Sequence, residues 1–206
     1  MTPDAAGQQQ RRSTDGDEKA PGAIAGSGGG SARRKGGGLN ERLFVTLRTR
    51  AHPRLLEAVV ISLSVAGNWG LFWIGIGAAL WAADATGGLR DFVYLLAVVY
   101  AALVVNIIIK VVLGRERPSL SDPALEPLVG KPSSKSFPSS HAAMSFAAAC
   151  ALTWLHSPLW PLYFAVAFIM SWSRVYAGVH YPSDVLAGTA VGLVMGGLGV
   201  LLLSTV

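Results

Sequence analysis

The chain has 206 residues, of which 51% are hydrophobic and only 14% charged, and its mean hydropathy is +0.45. Soluble domains carry about 25% charged residues, so this composition argues against a soluble single-domain enzyme. The formal charge of +5 suggests a nucleic-acid binder until the charges are placed. Ten of the 17 Lys and Arg fall in residues 1–54, leaving the apolar remainder with few.

Residues 1–38 hold ten of the 24 glycines and no aromatic residue. Such a segment cannot bury enough apolar surface to offset its ordering entropy, and it is expected to be a disordered, basic, Gly-rich tail. Its basic run lacks aromatic interleaving and any helix-turn-helix pattern, so no nucleic-acid partner is expected. No apolar run follows Arg11-Arg12, so the segment does not read as a signal peptide. Its clusters, such as Arg33-Arg34-Lys35, either touch anionic headgroups or are simply solvated and set topology. The remainder, residues 39–206, is expected to form one membrane-embedded domain.

That domain opens with residues 39–57, where Leu39, Leu43, Phe44 and Leu47 alternate with Arg42, Arg48 and Arg50. This is the pattern of an amphipathic interfacial helix. Long uncharged runs follow: Ala58 to Ala83, Phe92 to Ile109, Ser139 to Ser173 and Val185 to Leu203, with Pro158 and Pro161 dividing the third. A bilayer core takes roughly 20 apolar residues per helix. The pattern predicts an all-α integral membrane bundle of about five transmembrane helices, near 66–84, 92–113, 139–156, 159–177 and 184–204. Gly188, Gly192, Gly196, Gly197 and Gly199 lie on the last span and are expected to allow close helix packing. Cys150 is the single cysteine, which excludes an intramolecular disulfide and a cysteine-based zinc site.

Polar groups at membrane depth are costly, so those that persist mark the chemistry. Three groups stand at span ends. Lys110 and Arg117 lie seven residues apart, which on a helix gives one face about two turns apart, with Pro118 ending the helix. They either clamp an anion or merely snorkel. Phe137-Pro138-Ser139-Ser140-His141 precedes an apolar run. A serine there caps a helix, and a helix start also suits an anion, to which His141 could donate a proton. Arg174 is followed by His180 and Asp184. A carboxylate against one imidazole nitrogen would free the other as a nucleophile; the alternative is a salt-bridged turn.

In an up-and-down bundle the three groups fall on one membrane face. They pool three cations, a helix N-terminus, two histidines and a carboxylate, the inventory of a phosphate site with a nucleophile and an acid. No spaced Asp/Glu set of the kind magnesium needs is present, and no metal or other cofactor is expected. His52 and His156 have no partner in these groups.

Lys110-x6-Arg117-Pro118, Pro138-Ser139-Ser140-His141 and Ser173-Arg174-x5-His180-x3-Asp184 resemble the motifs of the type-2 phosphatidic-acid phosphatase superfamily, which shares its site with vanadium-dependent haloperoxidases. The resemblance covers about residues 55–204. It implies an all-helical membrane phosphatase that needs no metal. It also implies roles: His180 as the nucleophile that becomes phosphohistidine, Asp184 as the group orienting it, and His141 as the general acid. Lys110, Arg117, Ser139, Ser140 and Arg174 would hold the phosphate. Ser140 stands where the family usually has Gly; only its backbone N–H is expected to matter, so Ser140→Gly should be tolerated. The chain also lacks the extra helix that six-span members carry ahead of the span near Asn68. It is more similar to short five-span members, among them phosphatases of decaprenyl-phosphoryl-phosphoribose and undecaprenyl-diphosphatase-like proteins.

Five spans would put the tail and the site on one face. That face would carry the tail's basic residues with Arg115, Arg117, Lys131 and Lys135, against Arg90 on the other, so the positive-inside rule favours a cytoplasmic site in the bacterial plasma membrane. The expected partners are membrane lipids and a lipid phosphate, foremost a polyprenyl-linked one. Phosphatidic acid or phosphatidylglycerophosphate is the alternative, and a haloperoxidase or a non-catalytic lipid-binding relative the remote ones. The loop Ser119 to Ser136 is expected to roof the site.

Overall fold

The computed structural model describes residues 38–48, 53–118, 127–130 and 134–204, and every regular element in them is helical. In chain order these are α1 (Leu39–Arg48), α2 (Arg54–Ala66), a 3-10 turn (Asn68–Gly70), α3 (Leu71–Ala82), α4 (Leu89–Leu113), α5 (Ser140–Leu155), α6 (Trp160–Tyr176) and α7 (Pro182–Leu203). The expected tail lies outside the described residues except Gly38, as do His52 and most of the loop expected to roof the site.

The all-helical expectation is met, but the N-terminal boundaries are not. Residues 39–57 are not one interfacial helix. α1 ends at Arg48, and α2 starts at Arg54 behind Pro53, which sits in an extended conformation (φ −60, ψ 133). Of the first expected span, 66–84, α3 covers only Leu71–Ala82, because the span's first residues form a 64° bend that separates α3 from α2. The bend is built by Trp69 (φ 55) and Gly70 (φ 75), both left-handed, a backbone region that ends a helix rather than extending it.

Two described helices, α4 and α7, are long and apolar enough to cross a bilayer, or three if the α2–α3 pair counts as one span. α4 has 25 residues, about 37 Å at the α-helical rise, against a hydrocarbon core of about 30 Å. Its Val104, Ile107, Ile108 and Val111 are exposed, as are Leu186, Val194, Leu201 and Leu202 of α7. In water such surfaces would be an aggregation liability; against lipid they are the expected exterior.

α5 occupies the middle of the bundle. It has 16 residues, and Ala142, Ala143, Ala147, Ala148, Ala149 and Ala151 are all fully buried. It packs against α4, α6 and α7. Its alanines meet the glycines of α7: a Cβ on Gly188 would land on the Ser139 carbonyl, and one on Gly192 on that of Ala143. Gly188, Gly192, Gly196 and Gly199 therefore serve close packing, as expected, whereas Gly197 faces open space. The core around α5 includes Trp73, Leu95, Val99, Leu152 and Met170. The buried Trp73 indole donates to Ser145 Oγ at 3.0 Å, and Ser145 donates to Met170 Sδ at 3.2 Å, so these polar groups are paired where no water is available.

Candidate active site

The C-terminal end of α4, the N-terminal end of α5 and the α6–α7 turn meet at one end of the bundle. Lys110 stands in the last turn of α4, and its Nζ donates to Ser140 Oγ at 3.2 Å. Four residues earlier, the fully buried Asn106 donates to the same Oγ at 2.9 Å. The expectation that Lys110 and Arg117 share a helix face is overturned. α4 ends at Leu113, and Gly114 is extended (φ −64, ψ 133), so Arg117 reaches inward from the connecting segment instead. Burial pulls its pKa below the usual guanidinium range. Its Nε donates to the Ser134 carbonyl at 2.8 Å, Nη1 to the Val179 carbonyl at 2.9 Å, and Nη2 to Ser134 Oγ at 3.1 Å. One guanidinium thus ties the segment before α5 to the turn before α7, using its several fixed donors.

Ser139 precedes α5 as its N-cap, but its side chain makes no capping bond. Its backbone N–H donates to the Asp184 carbonyl at 3.0 Å, while its fully buried hydroxyl has no partner. The capping expected of this serine is therefore not what its hydroxyl does. The Phe137–Pro138 peptide is cis. His141 lies in the first turn of α5, and its Nε2 is 3.1 Å from the Ser64 carbonyl.

The third motif folds as a tight turn. α6 ends at Tyr176, Gly178 takes a left-handed conformation (φ 80), and α7 begins at Pro182. Proline suits the first helical position, where its missing N–H is not needed. The N-cap of α7 is Tyr181, and the Asp184 side chain reaches back to it: Tyr181 N–H donates to Asp184 Oδ2 at 2.8 Å. His180 Nδ1 is 3.5 Å from the same oxygen. Arg117 Nη1 is 3.2 Å from His180 Nε2. A guanidinium can only donate, so Nε2 accepts, and the proton of a neutral ring lies on Nδ1, toward Asp184. Burial pushes the His180 pKa down to about 3, which keeps the ring neutral near pH 7. Arg174, in the last turn of α6, donates through Nη1 to Ser64 Oγ, and its buried Nε has no partner.

All eight residues singled out from the sequence are thus joined at one end of the fold: Lys110, Arg117, Ser139, Ser140, His141, Arg174, His180 and Asp184. Four contributors were missed. Asn106 was detectable, as a lone amide inside the uncharged stretch of α4. Arg115, which pairs with Asp184, was counted only as a charge. Ser64 and Asn40 carry no local signal, because they reach the site from 77 and 143 residues away in sequence. Among the described residues no three His, Cys, Asp or Glu side chains gather as a metal site would require. The arrangement can hold a tetrahedral anion: the unpartnered Ser139 hydroxyl and Arg174 Nε are buried donors beside two further cations, and buried donors without partners are rare in native proteins.

Comparison with known proteins gives a consistent picture. Residues 91–205 match the PAP2 superfamily. The chain is 36% identical over 109 residues to the decaprenylphosphoryl-5-phosphoribose phosphatase of Mycobacterium tuberculosis, covering 53% of this chain and 59% of that protein. It is 41% identical over 96 residues to the undecaprenyl-diphosphatase of Sulfolobus acidocaldarius, covering 44% of this chain and 45% of that one. The chain therefore spans about half the length of these relatives. Among solved structures, a PAP2 type phosphatidylglycerolphosphate phosphatase from Bacillus subtilis superposes with a TM-score of 0.64 at 26% identity, over 81% of this chain and 85% of that one.

Proposed function

This chain belongs to the PAP2 superfamily, and from that premise we propose that it is a membrane lipid phosphatase that removes phosphate from a polyprenyl-linked phosphomonoester or diphosphate through a phosphohistidine. The observation that carries the reading is the imidazole of His180. It is buried, directs Nδ1 at Asp184 and presents Nε2 to Arg117, beside buried donors without partners in Ser139 and Arg174.

In the proposed reaction the substrate phosphate takes Nη1 of Arg117 away from His180, and the freed Nε2 lone pair attacks phosphorus. The bond from phosphorus to the lipid oxygen breaks, its electron pair stays on that oxygen, and His141 gives it a proton. Asp184 offsets the positive charge that develops on the imidazole. Lys110, Arg117 and Arg174 hold the nonbridging oxygens with the Ser139 hydroxyl and the first N–H groups of α5, the electrostatic stabilisation on which phosphoryl transfer depends. Water then attacks the phosphohistidine, giving its proton to His141, and the P–N pair returns to Nε2. The chain's own groups supply both the nucleophile and the charge stabilisation, so the reaction is expected to persist in EDTA.

The polyprenyl preference rests on the likeness to the decaprenylphosphoryl-5-phosphoribose phosphatase and the undecaprenyl-diphosphatase. The likeness to the phosphatidylglycerolphosphate phosphatase structure favours a glycerophospholipid phosphate as the second reading. The charge asymmetry supports a cytoplasmic site in a five-span topology.

The test is phosphate release in detergent with EDTA. A polyprenyl-phosphoryl sugar phosphate, undecaprenyl diphosphate, phosphatidylglycerophosphate and phosphatidic acid are compared side by side, with His180→Ala as control. Turnover of the polyprenyl substrates, lost in the variant, is expected. Near wild-type release by His180→Ala would remove the nucleophile assignment, and exclusive turnover of a glycerophospholipid would replace the first reading by the second.

A further inference from the structure

The bend between α2 and α3 lies outside residues 91–205, the span that matches the family, and outside all three motifs. Even so, it touches two groups of the site at once. Ser64 sits in the last turn of α2, where helix carbonyls have no intrahelical donor to receive. Its carbonyl is 3.1 Å from His141 Nε2. A carbonyl only accepts, so the proton on that bond belongs to His141 Nε2. The Ser64 hydroxyl receives Nη1 of Arg174. Among the described residues it is the partner the structure gives this buried guanidinium, whose Nε stays unpartnered. Ser64 itself is buried, with 5% of its surface exposed.

The same bend leaves no spare room. At Gly67, where the chain departs from the helix (φ −76, ψ −9), a Cβ would stand 2.7 Å from His141 Cδ2 and 3.0 Å from Met170 Sδ. Gly67 takes an ordinary right-handed conformation, so alanine there is excluded by the imidazole rather than by its own backbone. The left-handed step at Trp69 and Gly70 turns the chain directly after Gly67.

We infer that Ser64 and Gly67 form a positioning element of the active site, in which the α2–α3 elbow sets the tautomer and place of His141 through the Ser64 carbonyl and aims Arg174 at the substrate phosphate through the Ser64 hydroxyl. The inference rests on the phosphatase reading for the identity of the anion, and on contacts alone for the coupling of the two groups. It makes the two halves of the elbow separable. The hydroxyl governs anion affinity, because Arg174 binds the phosphate in every state. The space at Gly67 governs turnover, because His141 acts only as the bond breaks.

The experiment compares wild type, Ser64→Ala, Ser64→Thr and Gly67→Ala in detergent. It measures kcat and KM on the best lipid of the panel, the inhibition constant of orthovanadate, and the melting temperature with and without inorganic phosphate. Ser64→Ala is expected to raise KM and the vanadate constant about tenfold, the worth of one hydrogen bond to a charged group, with kcat changed much less. Ser64→Thr keeps a hydroxyl and should restore most of that affinity. Gly67→Ala should lower kcat at least about tenfold while leaving the vanadate constant near wild type. Values for Ser64→Ala and Gly67→Ala within twofold of wild type would overturn the proposal, as would equal losses in Ser64→Ala and Ser64→Thr. If the wild type turns over none of the lipids, the phosphatase reading fails on its own. The phosphate-induced rise in melting temperature then still decides: a rise lost in Ser64→Ala supports the anion-aiming role, and an equal rise, or none in wild type, refutes it.

Discussion

Arg115 Nη2 donates to Asp184 Oδ1 at 2.8 Å and to Ser183 Oγ at 2.5 Å, while its guanidinium carbon lies 4.5 Å from the centre of the Tyr181 ring. Asp184 is therefore shared. One oxygen serves Arg115, and the other faces His180 and the Tyr181 N–H. A fully buried carboxylate needs several donors to stay ionised, and only an ionised Asp184 can orient a neutral imidazole. Arg115 is in this sense the outer anchor of the His180–Asp184 pair.

Removing that anchor leaves a buried carboxylate oxygen unpaired. Arg115→Ala is expected to cost about 1–3 kcal/mol of stability, less than a fully buried pair because the arginine is partly exposed. It should lower kcat as well. Arg115→Lys should recover only part of both, since a point charge cannot reach Ser183 and Asp184 together while stacking on Tyr181. Thermal melting and phosphate release on the three proteins check this; an Arg115→Ala protein equal to wild type in both would mean that Asp184 is held without it.

His180 makes stability depend on acid. Its folded pKa is pushed down by burial to about 3, against about 6.5 in an unfolded chain. Between those values the unfolded state binds a proton that the folded state does not. Stability is therefore fully present above about pH 6.5 and declines as pH falls toward 3, with a limiting slope of about 1.4 kcal/mol per pH unit. Melting curves of wild type and His180→Gln between pH 7.5 and 4.5 should show a shallower acid-side decline in the variant. Identical slopes would mean that the proton is taken up elsewhere.

The Ser140 hydroxyl is held by two donors of α4. It accepts from Asn106 at 2.9 Å and from Lys110 at 3.2 Å, so the expectation that only its N–H matters is revised. Ser140→Gly and Asn106→Ala should each lower kcat/KM about tenfold by releasing Lys110. The double variant should lose little more than either single one, because the two residues act through one contact. Independent, multiplying losses would separate them.

The α5–α7 contact supplies a matched pair of substitutions. A Cβ at Gly188 meets the Ser139 carbonyl, whereas one at Gly197 meets nothing within 4 Å. Gly188→Ala should cost about 1–3 kcal/mol through overpacking and, by shifting Ser139, reduce turnover. Gly197→Ala should leave melting and turnover near wild type. Equal behaviour of the two would show that the helices do not meet along this face.

Much of this was legible in the chain itself. An uncharged run such as Phe92 to Ile109 can be buried in lipid only as a helix, because the backbone must satisfy its own hydrogen bonds there. Lys110, His141, Arg174, His180 and Asp184 were conspicuous because charge at the end of such a run is costly and is kept only where something uses it. The local spacing of His180 and Asp184 was enough to pair them. Tertiary structure alone decided the rest. It ended α4 before Arg117, so that this arginine arrives from a loop, and it bent 54–82 at Gly67–Gly70. It also brought Ser64 to His141 and Arg174, Asn40 to Ser183, and Arg115 to Asp184. Those partners are uncharged, or look like ordinary surface cations, and they sit in stretches whose hydropathy does not distinguish them. Their roles follow from contacts across 69 to 143 residues of chain, which no local pattern of hydrophobicity, spacing or propensity encodes.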